Sequence, residues 1–336
     1  MKSQIYVALA VCSSAILSGC HADHGAPSND IAVVKIDGSS TVFPIAEAAA
    51  EDYQLQSKQR VRVTVGISGT GGGFKKLCRG DIDITNASRP ILSEEMEACR
   101  AAGISYMEIP IAFDAVTVVV NPANNWVKEL NIEDLKKIWE PAAQAKVTRW
   151  NQVRPEWPDA RLMLFGPGAD SGTFDYFTEA IVGKPKASRG DYTASEDDNV
   201  LVQGVAHNRD ALGYFGFAYY TNHREQMRAV PIAHNGKATL PSIEAVRDGS
   251  YQPLSRPLFV YVNAAAANRP EVRQFVEFYL THGAPLASEA GFVPLPDSAA
   301  QLALQHFREG RLGTVFGGVP EIGVTIEALL ARETKL

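Results

Sequence analysis

The chain has 336 residues, 46% of them apolar, and carries a formal net charge of −6. That length admits two domains of ordinary size around a large core. The negative balance, with no basic run and no aromatic-basic repeat, argues against an electrostatic nucleic-acid binder.

Met1 and Lys2 give a positive start, and "IYVALAVCSSAIL" follows as an apolar stretch of signal-peptide length, too short for a membrane span. It ends at "LSGC", Leu17 to Cys20, which resembles the bacterial lipobox. The expectation is a signal peptide over 1–19, cleavage before Cys20 and a lipid on its thiol. An ordinary secretory signal with an incidental cysteine is the alternative. The polar "HADHGAPSND" reads as a tether, so 20–30 becomes a lipid-anchored linker and the chain is anchored rather than spanning. Export then leaves Cys78 and Cys99, a pair that in an oxidising compartment is expected to form a disulfide. Two free thiols in a buried core would read the same.

From Val33 the chain reads as a strand, then Gly-Ser-Ser-Thr, then a helix carrying Ile45, Ala49 and Tyr53, with Pro44 near its start where a missing N–H costs nothing. Val61, Val63, Val65 and Ile67 alternate as a strand. The glycine-rich "SGTGGG" predicts a turn before a short helix through Phe74 and Leu77, and Asp81–Thr85 predicts the next strand, ending in "NASRP". Ala115–Asn121 is a wholly apolar strand suited to a covered sheet. Asn131–Glu140 predicts a capped amphipathic helix. Strands alternating with helices imply an α/β architecture with a mainly parallel sheet. A second apolar strand at Pro257–Asn263 ends in Val-Asn as Ala115–Asn121 does. Two such strands suit the crossings of a bilobal protein, one lobe built from both chain ends and the other from the middle.

Three loops rich in glycine and hydroxyls follow apparent strands: Asp37–Pro44, Ser68–Gly73 with the later "NASRP", and Gly166–Phe174. In open α/β sheets ligands bind at the carboxyl ends of strands, where helix N-termini offer unpaired N–H groups and a positive dipole end. Glycine admits the ligand to the backbone, and serine and threonine donate without adding charge. Each loop alone could be plain helix capping; three together point to an anion. No P-loop pattern, no G-x-S-x-G serine and no paired metal-ligand histidines occur.

The segments "IDGSSTVFPI", "SGTGGGFKKLCRGDIDITNASRPI", "LKKIW" and "LFGPGADSGTFDYFTEAIVG" resemble the periplasmic phosphate-binding proteins of ABC importers, the PstS family, with the SphX branch nearest. The resemblance implies a type II periplasmic-binding-protein fold. Lobe one would be 31–114 plus 264–336 and lobe two 115–263, with crossover strands near 115–121 and 257–263. It also implies inorganic phosphate as the ligand, with no cofactor and no metal. The partner would be the membrane permease of an ABC importer, the membrane is met only through the lipid anchor, and the chain works as a monomer.

By position, the resemblance assigns phosphate contacts to Ser39, Ser40 and Thr41, to Thr70 and Gly71, to Ser88 and Arg89, and to Ser171, Gly172 and Thr173, with Arg89 supplying the main positive charge. Two positions depart from one branch of the family. Pro167 stands where that branch has an arginine, and Ser88 stands where it has a carboxylate that takes a proton from phosphate and so rejects sulfate. Asp170 is the candidate replacement acceptor, with Asp37 and Asp114 as weaker ones; an ordinary capping role for Asp170 stays open. Other oxyanions (sulfate, molybdate, arsenate), a secreted phosphatase, and a surface scaffold that has lost its ligand are the alternatives.

Overall fold

A computed structural model describes residues 31–58, 60–319 and 321–335. The expected signal peptide, Cys20 and the tether lie outside the described residues. The first part of the chain runs β1 (Ala32–Gly38), α1 (Phe43–Gln56), β2 (Val61–Val65), α2 (Gly69–Cys78), β3 (Ile84–Ala87) and α3 (Ser93–Ala101). Next comes the 15-residue strand β4 (Tyr106–Val120), buried at every position. The middle contains β5 (Leu130–Asn131), α4 (Ile132–Trp139), β6 (Met163–Pro167), α5 (Gly172–Val182), β7 (Thr193–Ser195), α6 (Asp198–Ala206), β8 (Ala211–Gly216) and α7 (Phe217–Asn222). Then follow β9 (Arg228–Ala229), β10 (Ile232–His234), β11 (Lys237–Thr239) and α8 (Ile243–Arg247). The chain closes with β12 (Ser255–Asn263), α9 (Pro270–Glu289), β13 (Val293–Pro294), α10 (Asp297–Glu309) and α11 (Ile326–Glu333).

The main sheet has the order β2-β1-β3-β12-β4-β8-β6-β7. Its two ends are parallel: β1 with β2 and β3, and β6 with β7 and β8. The two central strands are not. β12 runs antiparallel to both β3 and β4, and β4 antiparallel to β8. The sheet is therefore mixed rather than mainly parallel, because the chain returns through the middle. One stretch of β4, Tyr106–Ala115, pairs with β12, and the next, Val116–Val120, pairs with β8. A single strand thus serves both lobes of this α/β fold. Both crossing strands start earlier than their apolar runs suggest, which draws Asp114 and Arg256 into the sheet.

Helices cover the sheet as their apolar spacing requires. Ile45, Ala46, Ala49, Ala50 and Tyr53 of α1 are buried, and Tyr53 meets Phe275 of α9 edge to face at 5.4 Å. Under the other lobe Trp139 packs against Tyr214 at 4.8 Å, Tyr192 at 5.3 Å and Phe177 at 5.9 Å. Asn131 caps α4 by accepting the Asp134 amide at 2.8 Å, and Asp134 returns the bond to the Asn131 amide at 3.0 Å. The segment expected as a glycine-rich turn is instead the first part of α2, which begins at Gly69.

Cys78, the last residue of α2, is disulfide-bonded to Cys99 of α3. The closed loop spans a sequence separation of 21. In the chain-entropy view such a loop stabilises the fold by about 3 kcal/mol. Urea unfolding of the Cys78→Ser, Cys99→Ser double variant should show that loss as a lower midpoint, with a slope no shallower than that of wild type because the uncrosslinked chain exposes more surface when unfolded.

Candidate functional site

The loop after β1 turns at Gly38, whose φ is +133°. A Cβ there would lie 2.3 Å from the Asn86 carbonyl oxygen and 2.8 Å from the Thr85 hydroxyl, so only glycine lets β1 and β3 sit this close. The turn delivers Ser39, Ser40 and Thr41 to the start of α1, all three buried. Asp37 lies below and accepts the Ser68 hydroxyl and the Lys76 ammonium, each at 2.5 Å. It anchors the second loop from underneath.

Thr70, in the first turn of α2, shares a hydrogen bond with the Ser88 hydroxyl at 3.2 Å and accepts the Ser88 amide at 3.1 Å. From the other lobe, Ser171 caps α5 by accepting the amides of Thr173 at 3.1 Å and Phe174 at 3.4 Å. Its own hydroxyl proton stays free to be donated elsewhere. Gly172 then approaches the Thr70–Ser88 pair so closely that a Cβ would lie 2.5 Å from one hydroxyl oxygen and 2.7 Å from the other. Gly71 donates its amide to the Asp170 carbonyl at 2.8 Å. The helix N-terminus of one lobe is therefore seated on the hydroxyl loop of the other.

Arg256 of β12 lies at the centre, with its side chain fully buried. Nη2 donates to Thr173 Oγ1 at 2.8 Å, to Asp114 Oδ2 at 3.0 Å and to Thr41 Oγ1 at 3.3 Å. Those two threonine hydroxyls, one from each lobe, are themselves 3.1 Å apart. Nη1 has no hydrogen-bond partner among the described residues. A buried, charged donor of this kind strongly favours a negatively charged acceptor. Asp114 holds Arg256 from the facing strand and also accepts the Phe217 amide at 3.1 Å. Burial pushes its carboxyl above the ordinary range, with Arg256 working against the shift. Asp198, at the first position of α6, is fully buried as well, and desolvation pushes its carboxyl up to about 7, opposed by Arg256 and aided by Asp114.

Thr41, Thr70, Gly71, Ser88, Ser171, Gly172 and Thr173 thus meet at one buried junction between the lobes, with Ser39 and Ser40 buried in the turn that leads to it. Arg89 and Asp170 are placed differently from their expected roles. Arg89 donates Nε to Asp175 at 2.7 Å, its two terminal nitrogens to Glu95 at 2.8 Å each, and Nη1 also to the Pro90 carbonyl at 3.0 Å. Four of its N–H directions are spent on protein acceptors. Asp170 pairs with Lys75 at 2.7 Å, with side chains 43% and 63% exposed, so its carboxylate faces the rim and not the hydroxyl cluster. Pro167 ends β6 and accepts the Tyr192 hydroxyl at 2.9 Å. Sequence reasoning missed Arg256; the available signal was a cation directly ahead of the apolar run "PLFVYVN". No group of metal-ligating side chains occurs among the described residues.

A family model described as "PBP superfamily domain" matches residues 23–282. The chain is 52% identical over 303 residues to Protein SphX of Synechococcus elongatus, covering 90% of this chain and 89% of that one. It is 39% identical over 303 residues to the phosphate-binding protein PstS of Staphylococcus saprophyticus, covering 88% and 91% respectively. Among solved structures it is similar to a putative phosphate ABC transporter substrate-binding protein with bound phosphate from Clostridium perfringens. That match has 26% identity and a TM-score of 0.66, over 79% of this chain and all of the other.

The position of Asp198 sets a pH dependence with a definite sign. An unfolded carboxyl titrates near 3.8 and the folded one near 7, so between those values the folded state binds more protons and stability falls as pH rises. Thermal midpoints measured from pH 4 to 8 should show Asp198→Asn gaining on wild type across this window, by at least about 1 kcal/mol at its upper end.

Proposed function

This chain belongs to the PBP superfamily, in the company of the SphX and PstS proteins, and on that premise we propose that it captures inorganic phosphate outside the cytoplasm and delivers it to an ABC importer. It is a binding protein and not an enzyme. The observation that carries the reading is Arg256: a fully buried guanidinium with Nη1 unpartnered, ringed by hydroxyls that both lobes contribute. Phosphate would take the charge of Arg256 and the donors of Ser39, Ser40, Thr41, Thr70, Ser88, Ser171, Gly172 and Thr173, while the amide of Gly71 is held by the Asp170 carbonyl and would serve to seat the two loops on each other. Arg256 then does from a crossing strand what the arginine absent at Pro167 would do from the loop before α5. Lobe one, 31–114 with 264–336, would close on lobe two, 115–263.

Charge-assisted hydrogen bonds contribute roughly 1.5–3 kcal/mol each, and a handful of them leave room for micromolar or tighter binding after desolvation and lobe closure are subtracted. Asp114 is the carboxylate closest to the cation and so the acceptor best placed for a proton carried by hydrogen phosphate. Asp170 would instead serve the rim. Sulfate is the second reading, favoured by the departures at Pro167 and Ser88. Calorimetric titration of the chain, freed of carried-over ligand, separates the two. Heat from phosphate and none from sulfate supports the proposal; equal response to both removes phosphate selectivity, and silence from both removes the function.

Arg256→Ala should weaken phosphate binding at least about hundredfold, near 3 kcal/mol. Arg89→Ala should weaken it less, because its charge is already matched by Glu95. The lipid anchor and the permease partner belong to the same proposal. In membrane fractionation, Cys20→Ala should move the chain from the membrane fraction to the soluble one.

A further inference from the structure

Arg89 stands in the loop after β3, in the same lobe as Glu95 of α3. Glu95 grips both terminal nitrogens of the guanidinium and also accepts the Leu92 amide at 2.9 Å. That pair is complete in itself: planar, bidentate and electrically neutral. Asp175 enters from the other lobe, on the first turn of α5, and adds a single bond through Oδ2 to Nε. Its Oδ1 has no hydrogen-bond partner among the described residues, and the side chains of Arg89 and Asp175 are 4% and 2% exposed. Two carboxylates therefore meet one guanidinium in a buried place, and the second is surplus to the charge balance of the first lobe. Were the lobes to part, Arg89 would keep Glu95 and Asp175 would return to water, leaving neither side with a bare buried charge. Such a contact separates at little penalty.

We infer that Asp175 is a positioning residue, a detachable arm by which the second lobe holds Arg89 in the closed clamp and thereby fixes where Ser171, Gly172 and Thr173 sit. The inference rests on the phosphate reading above. Asp175 donates its amide to the Ser171 carbonyl at 3.1 Å, within the same helical turn that carries Thr173 to Arg256. Fixing one residue of that turn fixes the others. Two other ion pairs join helices and loops across the junction, Lys75–Asp170 and Lys186–Glu94, and both lie exposed, where solvent screens them. Of these three ion pairs the buried arm is the one solvent screens least, and it adds to the hydroxyl and backbone contacts already described.

The test is a chase of radiolabelled inorganic phosphate from the full chain by unlabelled phosphate, for wild type, Asp175→Asn and Asp175→Glu. Loss of the arm should appear in release and not in capture: Asp175→Asn should release phosphate about tenfold faster with an association rate near that of wild type. Asp175→Glu, which keeps the charge, should restore most of the slow release. The thermal midpoint of the ligand-free protein should stay close to the wild-type value, because the open state does not use the contact. A release rate for Asp175→Asn within about threefold of wild type overturns the inference, whether or not the ligand-free protein is destabilised. Should that variant fail to fold, Asp175→Ser is judged by the same rates. Wild-type protein that takes up no phosphate overturns the clamp reading, and this inference with it.

Discussion

Arg256 and Asp114 face each other in register on β12 and β4, the two strands the lobes share, and the rest of the site is arranged around their buried ion pair. Removing two charges from water is expensive, and a single pair does not recover the whole penalty unless further hydrogen bonds satisfy the remaining groups. Here Nη2 finds them in Thr41 and Thr173, which come from the first loop and from α5. One nitrogen thus holds a crossing strand, a loop of one lobe and a helix start of the other to a common geometry. A shift in any of the three would leave a buried charge less well matched.

Close approach is the second constraint, and glycine is how the chain meets it. Gly38, Gly73 and Gly172 each occupy places where a Cβ would fall within 3 Å of a neighbouring atom. The carboxylates raise the opposite problem, since Asp114 and Asp198 lie near the same guanidinium and cannot both be ionised at little penalty. Burial resolves the conflict by letting Asp198 keep its proton close to neutral pH.

What the sequence made legible was mostly local. The strand before Gly38, Pro44 at the start of α1, the Asn131 cap and the Ser171 cap each follow from a few neighbouring residues, and the structure contains them. Gly69–Gly73 reads as a turn because glycine weakens a helix in isolation; the contact with Asp170 that demands glycine at Gly69 comes from far along the chain, and the one with Thr85 at Gly73 depends on how β3 is packed. Arg89 was visible as a cation beside a hydroxyl loop. Its acceptor Asp175 was not, because folding brings it from 86 residues away, and Glu95, only six residues on, reaches it through the turn into α3. Arg256 was passed over for the same reason. Its meaning depends on the register that sets Asp114 opposite it, 142 residues earlier in the chain.

The shared strands also fix the order in which the molecule can be finished. Helix α1 packs on β2, which follows it directly, and on α9, more than two hundred residues further along the chain. β4 likewise waits for β12 along most of its length. The middle lobe has its sheet partners within reach earlier, through β8. The first strands therefore find each other within a short stretch of chain, whereas β3 and β4 keep an edge unpaired until β12 joins them. The sheet is thus completed from its middle, by the strand that comes latest of those in its main order.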